Sequence, residues 1–277
     1  MDEITDVQST NFSSLRDQLT YSNHLDFKDL RNNLDRIYSY LAFSFNLVDS
    51  TGKPRKSIII DTLAKRSCLS CIYRTLSSIN HSDIDNVDAI YKESHELAVN
   101  IMVEELYALL NKMGYKVIIT TEVELNYGRA DVLITITNYG LNLKSRTKEL
   151  LVEVKTGNSL SFSQLFRYFL DGKSDTIIVW RIRKRQVLVF DAQKFKPLIA
   201  EFMRMICLRA IRLLSSQHQI SPCQHAKSPN YQPTQAELEK ALEDFSEALV
   251  ETLPAVLQTI LKQLEDITPR ESTTTNG

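Results

Sequence analysis

The sequence predicts an α/β protein in which a mixed β-sheet is flanked by helices, with further helices added at both ends of the chain. Residues 12–113 and 193–266 place apolar residues at helical spacing, whereas residues 115–191 contain five short runs rich in β-branched residues. The 277 residues and the 43% apolar content are sufficient for a sizeable core.

The part of the chain before the strands is predicted to be helical. The spacing in residues 12–48 indicates one or two helices, and residues 57–79, after the loop STGKPRKS, indicate one more. Residues 88–113 are apolar on more than one face and run without proline or glycine until Gly114, a suitable C-cap. We therefore expect a long helix that is packed between other elements.

The central part predicts the sheet. The runs YKVIITTEVEL, ADVLITIT and ELLVEVK are separated by polar segments, which indicates three consecutive antiparallel strands. SFSQLFRYFLDG begins with a serine cap and ends with a glycine, as a short helix does. DTIIVWRI and QVLVFD predict another strand pair across the basic turn RKR, followed by a helix over residues 193–217.

The C-terminal part carries an amphipathic pattern. A polar linker that contains proline precedes a leucine-rich stripe, which Pro254 is expected to break into two helices. The last residues are expected to be disordered. The predicted organisation is an N-terminal helical region, a core, a linker, the C-terminal helices and a tail, with the boundaries 1–87, 88–217, 218–233, 234–267 and 268–277.

Charge is unevenly distributed along the chain. The formal net charge is −1, but residues 230–277 have a balance of roughly −6, which leaves about +5 on the remainder. The acidic C-terminal helices would repel nucleic acid, so we expect them to pack on the core or to mediate self-association or a protein contact. The start MDEITDVQST lacks the pattern of a secretory signal, and no apolar run is long enough for a membrane span, so we expect a cytoplasmic protein without a membrane partner.

Three charged residues stand on strands that are otherwise built for burial. Side chains alternate along a strand, so Glu153 and Lys155 share one face of ELLVEVK, and Asp131 at the start of the neighbouring strand can converge with them. Two adjacent carboxylates repel each other unless a cation lies between them, and their oxygen atoms suit Mg²⁺ or Mn²⁺. Together with a lysine, such a site can hydrolyse a phosphodiester. The alternative is a solvated pair at the edge of the sheet.

Four short motifs occur in order over residues 88–192: a helical histidine in YKESHELAV, then GRAD, EVK and QLFRY. Their order and spacing resemble the PD-(D/E)XK nuclease superfamily, in particular its RecB-like branch, which includes CRISPR-associated exonucleases. The resemblance implies a restriction-endonuclease-like core. It also implies that the metal ligands are His95, Asp131, Glu153 and the carbonyl of Val154.

The same resemblance makes Lys155 the catalytic lysine. Gln164 and Tyr168, one helical turn apart in QLFRY, would face the site and orient the lysine or a DNA phosphate. The alternative for these two residues is ordinary packing of an amphipathic helix. The alternative for His95 is a helix histidine whose hydrogen bonds are satisfied within the protein and which binds no metal.

Iron–sulfur members of this branch hold a cluster with cysteines that flank the core, and a similar site, or a zinc site, is possible here. The candidate ligands are Cys68, Cys71, Cys207 and Cys223. Their spacing departs from the family habit of one cysteine before the core and three after it. Cys207 also lies in an apolar helical run where a buried thiol is natural.

Three basic segments, KPRK, KSRTK and RIRKR, are candidates for contacts to nucleic-acid phosphates, with solvated hairpin tips as the alternative. Within the last segment the candidates are Arg181, Arg183, Lys184 and Arg185. We therefore expect a divalent-metal-dependent deoxyribonuclease, with endonuclease and exonuclease action both open. The alternatives are an idle DNA-binding or scaffold subunit of a defence, repair or mobile-element complex, and an assembly module that acts through the C-terminal helices.

Overall fold

A computed structural model describes Arg16 and residues 27–49, 51–66, 68–78, 89–139, 145–157, 160–215 and 235–264. The helices are α1 (Phe27–Ser44), α2 (Lys56–Lys65), α3 (Leu69–Ser78), α4 (Ala89–Lys112), α5 (Phe162–Asp171), α6 (Ala192–Ser215) and α7 (Gln235–Leu264). The strands are β1 (Lys116–Leu125), β2 (Gly128–Tyr139), β3 (Ser145–Lys155), β4 (Thr176–Arg181) and β5 (Gln186–Asp191).

The five strands form one mixed sheet in the order β1-β2-β3-β4-β5. The first three are an antiparallel meander, as predicted. Helix α5 then carries the chain over to β4, which pairs with β3 in parallel, and β5 returns antiparallel across a single 3₁₀ turn. The prediction of an α/β fold with a mixed sheet between helices is confirmed.

Both faces of the sheet are buried against helices. Alternation along β3 sends Leu150, Val152 and Val154 into a core layer shared with α4 and α7. Leu151 enters the opposite layer, which α1, α2, α3, α5 and α6 complete. Each large aliphatic side chain buried in these layers stabilises the fold by roughly 1.5–3 kcal/mol. Among the described helices, none combines the length and the hydropathy that a membrane span requires.

The structure corrects one prediction near the N-terminus. The single helix expected over residues 57–79 is two helices, because Arg66 adopts an extended conformation (φ −121°, ψ 131°) directly after Lys65 and ends α2. The break lets α2 and α3 pack on the core separately.

A second correction concerns Pro254, which lies inside α7 without dividing it. Proline in a helix interior costs about 3 kcal/mol, but α7 has a continuous buried stripe on both sides of it. Ala248 and Leu249 are buried before the proline, and Val256 and Leu257 after it. Packing against the sheet therefore outweighs the lost backbone hydrogen bond.

Helix α7 is fixed to the sheet by polar contacts as well. The Trp180 indole N–H donates to Thr252 Oγ1 at 2.8 Å in a buried setting. The expectation that the acidic C-terminal region packs on the core is confirmed for these residues. The predicted linker, the predicted disordered tail and most of the first predicted helical segment lie outside the described residues.

Candidate active site

The site is built where β2 and β3 separate. Their ladder ends at the pair Val132 and Val152, so Asp131 does not pair with Glu153 through the backbone. Instead the Val154 N–H donates to Asp131 Oδ2 at 2.7 Å. The carboxylate takes the place of a ladder hydrogen bond, which fixes Asp131 beside the strand that carries Glu153.

Glu153 is the most deeply buried charged residue of the site, with 2% of its surface exposed. Its Oε1 accepts hydrogen bonds from Gln164 Nε2 at 2.6 Å and from the Lys155 ammonium, and its Oε2 accepts one from the Tyr168 hydroxyl. Burial, followed by the negative charge of Asp131, raises the pKa of Glu153 above its ordinary value. A buried carboxylate is costly, and these donors offset part of that cost.

Gln164 and Tyr168 face the site from α5, as the spacing of QLFRY predicted. Gln164 Oε1 accepts from Lys155 Nζ at 2.7 Å, and its Nε2 also donates to the Tyr168 hydroxyl at 2.7 Å. That hydroxyl lies 2.9 Å from the carbonyl oxygen of Arg129. Burial and the charge of Glu153 raise the pKa of Tyr168, so it remains a neutral donor. The amide of Gln164 thus joins the lysine, the glutamate and the tyrosine in one network.

His95 approaches Asp131 from α4. Its Nε2 lies 3.2 Å from Asp131 Oδ1, and 32% of its side chain is exposed. Burial favours the neutral imidazole, but the hydrogen bond to Asp131 and the charges of Asp131 and Glu153 outweigh it and raise the pKa of His95. The structure therefore brings all the predicted residues of the four motifs into one place.

A cleft of about 360 Å³ opens over this network. It is lined by the predicted residues other than Tyr168 and by four that the sequence analysis did not single out, namely Arg129, Thr156, Gly157 and Ser161. Arg129 stands inside the GRAD motif, so its proximity to Asp131 was a usable signal. Ser161 was recognised only as the residue that precedes α5, a position that also puts it at the cleft.

The donor set suits a hard divalent cation. His95 Nε2 and Asp131 Oδ1 are 3.2 Å apart and share a hydrogen bond, so a cation bound to both atoms would take the place of the proton between them. Within the described residues, no three His, Cys, Asp or Glu side chains are gathered into a complete ligand set. Mg²⁺ commonly keeps several waters and binds through one or two carboxylates, so a smaller protein set still fits it.

The structure describes three of the four cysteines of the predicted site. Cys71 and Cys207 are buried, and Cys68 is half-buried. The helices that carry Cys71 and Cys207 pack against each other. Cys223 lies outside the described residues, so the four-thiolate site stays a prediction.

The basic turn after β4 contacts α7. Arg185 forms an ion pair with Glu251, and Arg183 Nη2 lies 3.4 Å from the carbonyl oxygen of Ala241. Arg181 Nη1 donates to Gln186 Oε1 at 3.0 Å. Their predicted contacts to DNA phosphates, with that of Lys184, stay a prediction, and at least Arg185 already has an acidic partner.

No protein family, curated protein or solved structure matches this chain.

Proposed function

We propose that the chain is a divalent-metal-dependent nuclease that hydrolyses phosphodiester bonds at the cleft above Asp131, Glu153 and Lys155. The observation that carries the proposal is the buried Glu153 carboxylate beside Asp131, with the Lys155 ammonium in contact with it. Apolar residues would serve the stability of this strand end better than a pair of carboxylates that repel each other.

The resemblance of the four motifs to PD-(D/E)XK nucleases supports the same proposal. In that family a helix carries the histidine, the Gly-x-x-Asp and Glu-x-Lys motifs follow, and the Gln-x-x-x-Tyr motif lies on the next helix. Here they lie on α4, β2, β3 and α5, in the same order. A core of the restriction-endonuclease type is thus part of the proposal.

Each side chain has a role that its contacts suggest. Asp131, His95, Glu153 and the Val154 carbonyl would hold Mg²⁺ or Mn²⁺, which when bound makes water a stronger nucleophile and offsets negative charge on the phosphate. Lys155, with 22% of its side chain exposed, places an ammonium group at the cleft, where it can contact a phosphate oxygen. Gln164 and Tyr168 hold Lys155 and Glu153 in position.

A second candidate is an idle DNA-binding or scaffold subunit. One observation favours it: the ammonium of Lys155 already neutralises Glu153, and the Asp131 oxygens already contact the Val154 N–H and His95. Such a network could persist without a metal. Binding of DNA without cleavage in Mg²⁺ or Mn²⁺ would select this candidate.

The deciding experiment compares Asp131→Asn with the parent on linear end-labelled DNA and on circular DNA, with Mg²⁺, with Mn²⁺ and with a chelator. Asparagine can still accept the Val154 N–H, so the fold should be retained while the negative ligand is lost. We expect cleavage by the parent, none with the chelator, and a rate at least about 100-fold lower for the variant. Calorimetric titration with Mn²⁺ should show weaker binding to the variant.

The matched control is Asp191→Asn. Asp191 also accepts a backbone N–H, from Gln193 at 2.8 Å, but it lies outside the cleft. This control should cleave as the parent does. Equal rates for Asp131→Asn and the parent would contradict the proposal, as would a parent that cleaves nothing under any of these conditions.

A further inference from the structure

A second and larger groove adjoins the active-site cleft. It lies between Asp49 with residues 53–57 at the start of α2, the β1–β2 turn with the strand ends beside it (residues 124–129), and the C-terminal end of α5, and its volume is about 700 Å³. Arg129 lines both this groove and the active-site cleft. A ligand that fills the groove therefore contacts Arg129, which also lines the cleft that contains Asp131.

The groove is predominantly basic. Its basic residues are Lys53, Arg55, Lys56, Arg129 and Lys173, and its acidic residues are Asp49, Glu124 and Asp171. Two of the three acidic groups are engaged by the protein itself. Asp49 Oδ1 accepts the Thr51 N–H at 2.8 Å, and Asp171 Oδ1 accepts the Asn126 N–H at 2.7 Å. The five basic side chains outnumber the three acidic ones that line the groove, and Asp35 and Glu122 pair with two of the five, Lys56 and Arg129.

Lys56, which lines the groove, is held in place by two residues behind it. Lys56 Nζ lies 2.8 Å from Asp35 Oδ1 and 5.0 Å from the centre of the Tyr127 ring. The Tyr127 hydroxyl donates to the same Asp35 oxygen at 2.9 Å, and the ring itself is buried. One buried aromatic residue and one carboxylate thus position a lysine that lines the groove.

Three of the four remaining cations are available to a ligand, whereas Arg129 Nη1 lies 3.5 Å from Glu122 Oε1. Lys53 and Lys173 are exposed, Arg55 is half-buried, and within the described residues none of the three side chains forms a hydrogen bond or an ion pair. Ser57, in the first turn of α2, lines the same wall. The free N–H groups of a first helical turn favour anions, which adds to the effect of the side chains.

We propose that this groove binds the phosphodiester backbone of the nucleic-acid substrate and leads the strand past Arg129 into the active-site cleft. This inference rests on the proposed nuclease function and adds the surface that holds the uncleaved part of the strand. Contacts of lysine and arginine to phosphates do not read sequence, so binding through the groove is sequence-independent. It is also strongly dependent on salt.

The test measures binding in a chelator, so that no metal-dependent cleavage occurs. Fluorescence anisotropy is recorded with labelled strands of roughly 20 nucleotides, at salt concentrations from about 50 to 200 mM. The strands are DNA and RNA of one sequence, each tested as a single strand and as a duplex. The comparison shows which of these four nucleic acids the groove binds most tightly. The variant carries Lys53→Gln, Arg55→Gln and Lys173→Gln together.

The matched control is Lys112→Gln. Lys112 is exposed at the end of α4, about 25 Å along that helix from His95 at 1.5 Å per residue. Circular dichroism checks that both proteins are folded. We expect the triple variant to bind single strands about tenfold or more weakly at moderate salt, with a salt slope smaller by about 2, since each lost contact contributes roughly 0.7. The control should bind as the parent does.

The outcomes separate the two proposals. If the parent binds and cleaves nucleic acid and the triple variant has the same affinity and salt slope, the proposed role of the groove is wrong. The proposed nuclease function is not affected by that result. A parent that neither binds nor cleaves nucleic acid overturns both. Weaker binding and a smaller salt slope in the triple variant, with binding like that of the parent in Lys112→Gln, support the proposed role of the groove.

Discussion

Replacing Lys155 with methionine tests the centre of the proposed site. Methionine keeps most of the length and the apolar stem of lysine but removes the ammonium, which contacts Glu153 Oε1 and lies 2.7 Å from Gln164 Oε1. The change therefore deletes one positive charge from the cleft and two hydrogen bonds from the network. It leaves Asp131 and its bond to the Val154 N–H untouched.

The effect on cleavage follows from the position of the ammonium. Removing one preformed donor that stabilises charge in a transition state costs about 100- to 1000-fold in rate, or ~2.7–4 kcal/mol. We expect a loss of that size in single-turnover cleavage of labelled DNA with saturating Mg²⁺ or Mn²⁺. The Lys112→Met variant, at an exposed position remote from the cleft, should cleave at the rate of the parent.

The effect on stability has a separate origin. Glu153 is 2% exposed, so losing its cationic partner leaves a buried carboxylate with fewer donors. Urea unfolding in a chelator should show a loss of about 1–3 kcal/mol in the free energy of unfolding. This is less than the 3–5 kcal/mol typical of a fully buried ion pair, because 22% of the Lys155 side chain is exposed. Added Mn²⁺ should recover part of the loss, since a bound cation again neutralises the two carboxylates.

Two results would refute this reasoning. Cleavage by Lys155→Met within about threefold of the parent, less than 1 kcal/mol in activation free energy, would show that the ammonium does not act on the reaction. Unfolding of Lys155→Met at the same urea concentration as the parent would show that the ammonium does not stabilise Glu153.

Three further predictions concern the rest of the fold. Thr252→Val leaves the buried Trp180 N–H without its partner and should lower the free energy of unfolding by about 1–3 kcal/mol, whereas an unchanged urea midpoint would show that the contact is dispensable. Gly128→Ala places a Cβ 2.9 Å from Arg167 Nη1 at a φ of +158°, so we expect a loss of about 1–3 kcal/mol by the same measurement, and a neutral result would contradict it. Burial raises the pKa of Cys207 to about 12, which leaves a thiolate fraction of about one in ten thousand at pH 8. Mass mapping after iodoacetamide treatment should find Cys207 unmodified until the protein is unfolded, and labelling of the native protein would contradict its burial.

Much of the site could be predicted because it depends on local periodicity. Alternation along β3 puts Glu153 and Lys155 on one face whatever the rest of the chain does, and the spacing of Gln164 and Tyr168 puts both on one side of α5. The polar segments that separate the three β-branched runs made the antiparallel meander predictable for the same reason. These features depend only on residues that are close to one another in the sequence.

Helix boundaries were predicted less well where packing competes with propensity. Pro254 is a strong local signal to end a helix, yet the apolar stripe of α7 is buried on both sides of it. A sequence pattern shows the stripe and the proline but not the sheet surface that makes a continuous helix favourable. The division of residues 57–79 into α2 and α3 likewise depends on the extended backbone at Arg66.

The sequence by itself determined the chemistry of the site, since residue types and their periods are properties of the chain. It specified two carboxylates and a lysine at neighbouring strand ends, and a glutamine and a tyrosine on the next helix. The tertiary structure alone decided that Arg185 pairs with α7 and that the KPRK loop lies beside Arg129. These contacts join segments more than 60 residues apart, and distances of that kind are set by how helices pack on the sheet, which no local pattern encodes.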